Sequence, residues 1–155
     1  MAEAISQADV LSEVVKKMAG PAASGVTYVP AKVAKVAPTS EASPSNGGCF
    51  SWQNPESVAV LATVIIDVTT VATGAANIDA GAAASATTSS DTLIDGGDIG
   101  TAVVRLNTID NKGTNGKGFQ RLDAKGGTTD FVTGTASADS SGLVGNVYII
   151  YIPTS

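Results

Sequence analysis

The chain contains no histidine and a single cysteine, Cys49. The first absence removes the side chain that most often serves as general base and as zinc ligand. The second removes any intrachain disulfide. Aromatic residues make up only 5% of the chain, so a core has to be built mainly from Ala and Val. Such thin cores favour sharing apolar surface between subunits, which predicts an oligomer. Lys and Arg number 9 against 14 Asp and Glu, a formal net charge of -5. Neutralising phosphates needs a basic surface, so nucleic acid is not an expected partner. Nor is a membrane, because no apolar run approaches the roughly 20 residues of a spanning helix. Met1 to Gly20 carries Glu3, Asp9 and Glu13 where a signal peptide would be basic and then apolar. The expectation is a soluble chain that is not exported by the usual route.

What is present is organised around Phe50 to Val71. Phe50-Ser51-Trp52-Gln53-Asn54-Pro55-Glu56 leads into Val58-Ala59-Val60-Leu61-Ala62-Thr63-Val64-Ile65-Ile66-Asp67-Val68. This β-branched run is too apolar for one solvated face and too rich in β-formers for a helix, and it reads as the central strand of a sandwich. Trp52, the only tryptophan, stands at its entrance and reads as a plug closing one end of the sandwich. At 155 residues and 43% hydrophobic, the chain suits one domain with an appendage.

Three segments follow from the pattern. Residues 1–20 hold the one convincing helix, over 5–19: Leu11, Val14, Val15 and Met18 recur at helical spacing, Ser6 can cap, and Gly20-Pro21 ends it. Its narrow apolar stripe needs a partner, since an isolated helix of this length is marginal in water. Residues 21–49 read as an extended arm rich in Pro, Ser and Gly. Within it Val26-Thr27-Tyr28-Val29 and Lys32-Val33-Ala34-Lys35-Val36 alternate as short strands able to add to another chain's sheet edge. Tyr28, Val29, Lys32, Val33 and Lys35, with the helical stripe, are therefore candidate partner contacts. Residues 50–155 read as an antiparallel β-sandwich. Its strands are expected over 58–71, 75–87 with a break at Gly81, 91–95, 101–109, 117–123, 128–137 and 143–152, with turns at the Gly, Asp and Asn clusters between them. The last strand is apolar on both faces and should be central or lie at a subunit contact.

Charge is segregated along the chain. Glu56 to Val104 holds six carboxylates and no Lys or Arg, whereas Arg105 to Lys125 carries five cations against Asp110 and Asp123. Complementary faces between neighbouring subunits are one use of such a pattern.

Catalytic chemistry is mostly missing. Without His, a Ser or Cys nucleophile needs another base, and none is recognisable; Cys49 reads as a small apolar residue. Gly113-Thr114-Asn115-Gly116-Lys117-Gly118 lacks the spacing and the Ser or Thr of a phosphate loop. Asp79, Asp91, Asp95 and Asp98 read as turn formers rather than a Ca²⁺ cage, since the alternation of an EF-hand loop is absent. No metal and no cofactor is expected. Trp52 and Tyr148, with the Asn111 to Gly118 loop, are the residues a sugar-binding surface would use.

The succession Phe50-Ser51-Trp52-Gln53-Asn54-Pro55-Glu56, the strand ending Asp67-Val68-Thr69-Thr70, Ala72-Thr73-Gly74-Ala75-Ala76, Ile78-Asp79-Ala80-Gly81, Ser90-Asp91-Thr92-Leu93-Ile94-Asp95-Gly96 and Gly142-Leu143-Val144-Gly145 before Tyr148-Ile149-Ile150-Tyr151 resembles the small head-associated proteins of tailed bacteriophages. These are the decoration, cement or head-fibre class. The resemblance implies a jelly-roll-like sandwich, commonly trimeric, seated at threefold positions of an icosahedral shell with an N-terminal arm across capsid subunits. The implied partners are the major capsid protein and further copies of this chain. The implied location is the outer surface of the virion, after synthesis in the host cytoplasm. No catalytic motif travels with it. The alternative expectation is a carbohydrate-binding adhesion module that recognises a host-surface glycan.

Overall fold

Val60, Ala62, Val64, Ile66 and Val68 occupy alternate positions, and apolar, mostly β-branched side chains at every second residue suit a pleated strand with one face in a core. In the computed structural model, which describes residues 29–154, these five side chains are buried along strand β3, Val60–Thr70. The other strands are β1 (Lys32–Val36), β2 (Phe50–Gln53), β4 (Asn77–Ala83), β5 (Ile94–Asp98), β6 (Arg105–Asn107), β7 (Gln120–Leu122), β8 (Phe131–Ala136) and β9 (Val144–Pro153). They form two antiparallel sheets. One runs β1-β9-β3, with β6 and β7 sharing the far edge of β3; the other runs β2-β8-β4-β5.

The fold is an all-β antiparallel sandwich, and its order has a simple origin. The chain folds back as one long ribbon in which β1 pairs with β9, β2 with β8, β3 with β6 and β7, and β4 with β5. Wrapping that ribbon brings β9 against β3 and β8 against β4, which makes the arrangement jelly-roll-like. The core lies between the sheets, from Val147, Ile149 and Tyr151 on β9 to Ile78, Ala80, Ile94 and Val132 opposite. Small residues let large ones lie flat: a Cβ on Gly134 would come within 2.1 Å of the Phe50 ring, its partner across β2 and β8.

Several boundaries differ from expectation. The Lys32–Val36 segment, read as an edge for another chain, is hydrogen-bonded to this chain's own β9, with Ala34 and Val36 packed on the core. Central β9 would otherwise leave an unpaired edge there, so among the described residues the sandwich begins at Lys32. β4 runs through Gly81 without a break, because glycine is needed there for close approach: a Cβ would lie 2.4 Å from Ser90 Oγ. Asp95-Gly96-Gly97-Asp98, read as a turn, lies within β5. Gly96 takes φ +76° at a register shift against Ile78 and Ala80, a bulge that keeps the strand paired. Strands 101–109 and 117–123 shrink to β6 and β7, because the chain between them folds over as a loop. β9 is central, between β1 and β3, as its two apolar faces predict.

The helix expected over 5–19, with Leu11, Val14, Val15 and Met18, lies outside the described residues, and so does Tyr28.

Candidate functional site

The two outer surfaces of the sandwich are unlike. Over the four-stranded sheet, Thr133 is buried and its hydroxyl donates to the Thr88 carbonyl at 2.7 Å, while Gly47 N–H donates to Thr135 Oγ1 at 2.9 Å. The β4–β5 connection and the segment before β2 thus cover that sheet. Among the described residues the five-stranded sheet has such cover only at its β3 edge, where Thr108 of the loop 108–119 reaches Thr63. Its outward positions follow from the register: Val33 and Lys35 on β1, Asn146, Tyr148, Ile150 and Ile152 on β9, Leu61, Thr63, Ile65 and Asp67 on β3, Arg105 and Asn107 on β6, and Arg121 on β7. Val33 is 62% exposed and Leu61 39%. Alternation therefore delivers a solvent face that is apolar over Val33, Leu61, Ile150 and Ile152, where polar residues are the rule, and polar along β6 and β7.

At the far edge of β3 the loop 108–119 rises to form one wall of a cleft of about 470 Å³. Ile65, Ile109 and Phe119 supply its apolar lining, and Ile109 and Phe119 are 75% and 56% exposed. The loop is braced from within. Asn107 Oδ1 accepts the N–H groups of Ile109 and Asp110, and the buried Thr108 hydroxyl donates to the Gly118 carbonyl at 2.9 Å while facing Thr63 Oγ1. A cleft held this way is preformed. Arg105, at its rim, donates through Nε to Asp67 Oδ1 at 3.0 Å.

The glycine-rich tip of this loop has its own explanation. The N–H groups of Thr114 and Asn115, which a phosphate would need, both donate to Asp95 Oδ2. A carboxylate of the same chain fills the nest. The other aspartates of the group brace turns as well: Asp79 accepts from Gly96 N–H, and Asp91 from the Asn115 amide. The hydroxyl of Thr101 and the N–H groups of Gly100 and Thr101 hold the Asp98 carboxyl below its usual range. Among the described residues no group of three or more His, Cys, Asp or Glu gathers as a metal cage would require. Cys49 is fully buried, and burial, then the nearby Glu41 charge, pushes its thiol up to about 12. At that value it is no nucleophile.

Of the residues singled out from the sequence, Val33, Lys35 and Tyr148 come together on the open face. Lys35 Nζ lies 5.9 Å from the centroid of the Tyr148 ring, its register partner. Lys32 instead turns to the sandwich end, where it pairs with Glu56 at 2.7 Å, which raises its pKa. Val29 is exposed ahead of β1. Trp52 packs against the core with its ring centroid 4.9 Å from that of Tyr151. Trp52 and Tyr148 thus belong to different sheets, one turned to the core and the other outward, and they share no platform. Of the cleft residues, Arg105 belongs to the cationic segment noted in the sequence, whereas Ile65, Ile109 and Phe119 are not expected as contacts from it. Their signal was present: two bulky apolar residues, Ile109 and Phe119, bracket a stretch that is otherwise polar and glycine-rich.

Comparison of the chain with protein-family models, with curated proteins and with solved structures returns no match.

Proposed function

We propose that this chain is a non-enzymatic structural protein of a tailed-phage virion, which decorates and stabilises the icosahedral capsid by binding across neighbouring major capsid subunits. One observation carries the reading: the open outer face of the five-stranded sheet, apolar over Val33, Leu61, Ile150 and Ile152, a surface that suits a protein contact better than water. The resemblance in sequence over residues 50–155 points the same way. In this reading the protein acts as a homotrimer on the outer surface of the shell. Residues 1–28, with the stripe Leu11, Val14, Val15 and Met18, serve as the tether.

The mechanism is mass action. A protein that binds only the assembled shell stabilises it by a free energy that grows with the logarithm of its concentration over Kd, and linked copies add avidity. Fully burying an exposed apolar side chain is worth about 1.5–3 kcal/mol, and a side chain such as Leu61, already partly covered, contributes a fraction of that.

Co-sedimentation with emptied capsids of the source phage tests this. The intact chain is expected to pellet to saturation at a symmetry-compatible ratio. Leu61→Asp and Val33→Asp, both at exposed positions, are expected to remain folded and to lose at least ten-fold in affinity. A folded intact chain that stays in the supernatant overturns the proposal.

A further inference from the structure

Among the described residues, the cleft beside β3 is the one place on the open face where an apolar slot adjoins a guanidinium with donors to spare. Thr63, Thr108, Asn107 and Asp110 engage one another or the loop backbone: Thr108 donates to Gly118 O, and Asn107 Nδ2 donates to Asp110 Oδ2 at 2.8 Å. Arg105 is the exception. Its Nε holds Asp67, yet the side chain is 82% exposed, and no other contact among the described residues engages its guanidinium. Between residues 105 and 121 the chain carries Arg105, Lys112, Lys117 and Arg121 against Asp110 alone; of these, Arg105 and Asp110 line the cleft, and Asp110 is engaged by Asn107. An apolar slot of about 470 Å³ with a cation at its rim falls within the size range of ligand sites.

We propose that this cleft docks an acidic, apolar peptide segment of a partner protein. A bulky apolar side chain enters between Ile65, Ile109 and Phe119, and a neighbouring carboxylate pairs with Arg105, whose planar fork suits two-point recognition. A peptide, rather than a small carboxylate, fits the setting because the apolar surface continues beyond the cleft over Leu61, Ile150 and Val33. Rim charges of this kind select the partner and its register, while the buried apolar anchor supplies most of the affinity. Only the identification of that partner as a capsid subunit rests on the function proposed above.

The test is a titration of the isotope-labelled full chain with the capped hexapeptide Asp-Leu-Phe-Asp-Leu-Asp and with its Asn- and Lys-substituted counterparts, followed by NMR. Shifts are expected at Ile109, Gly118 and Phe119. The Asn peptide should bind more weakly than the Asp peptide, and the Lys peptide at least ten-fold more weakly. Ile109→Ser with Phe119→Ser should weaken all three ten-fold or more; both residues are exposed, so the spectrum elsewhere should be unchanged. Arg105→Glu should invert the order of the Asp and Lys peptides. Equal affinity for the three peptides overturns the proposal, as does an order that Arg105→Glu leaves intact. Shifts confined to another face also overturn it. Phenylacetate binding as tightly as the peptide would make this a small-ligand site, and cleft shifts that depend on protein concentration alone would make a second copy the occupant; either result overturns it too. Peptide binding with no capsid co-sedimentation would remove the capsid reading and leave the cleft, and the reverse pair of results would remove the cleft alone.

Discussion

Single residues hold this sandwich together where its small core offers little slack. Asn54 is fully buried just after β2, and its amide makes three bonds: Nδ2 donates to the carbonyls of Val58 and Asp123, and Oδ1 accepts from Glu56 N–H. Asn54→Ala strands these groups away from water, and the expected loss is about 2–4 kcal/mol, seen as a fall of roughly 5–15 °C in Tm. Asn54→Asp keeps the volume but loses both donors, and should be no better. Cys49 makes a second prediction. Because the folded state holds the thiol proton more tightly than the unfolded state does, its contribution to stability is complete below the unfolded value of 9.0 and disappears as pH climbs towards about 12. Denaturant melts between pH 9 and 12 should therefore show a steeper alkaline loss in the natural chain than in Cys49→Val. A thiol reagent should label the native protein only at the rate of unfolding.

At the level of elements, β1 is where the sandwich begins among the described residues. It covers the edge of central β9 through five register pairs, and Ala34 and Val36 close the core beside it. The chain lacking residues 1–28 sets the reference for the unfolding midpoint. Removal through residue 37 should lower it and promote association, because an apolar central strand becomes an exposed edge. Circular dichroism melts and sedimentation of the two truncations would tell these outcomes apart. The existence of most strands was legible, since alternation in Val60 to Val68 and the apolar run in Val144 to Ile152 leave few other choices. The shortness of β6 and β7 was not. Nothing local in 101–109 or 117–123 announces that β3 has room for only three residues of each beside a loop that folds over its edge. The partner of β1 was equally hidden, because an alternating strand fits any free edge and only the wrapped topology says which edge is nearest.

At the scale of the whole molecule, the pairing of the first described strand with the last means that the sandwich closes only when residues more than 100 apart in sequence meet. Refolding should accordingly take milliseconds to seconds in stopped-flow fluorescence of Trp52, which sits against Tyr151 at the closing end. A microsecond phase carrying the full amplitude would contradict this. The same closure creates the asymmetry between a covered sheet and an open one. Composition and alternation determined the class of fold, the central strands and the absence of any histidine-based chemistry, because these depend only on which side chains exist and on a period of two. Which apolar face is buried was decided by tertiary structure alone. Leu61 and Ile65 look no less core-forming than Val60 and Val64 until the second sheet packs on one face of β3, which buries Val60 and Val64, leaves Leu61 exposed and puts Ile65 in the cleft.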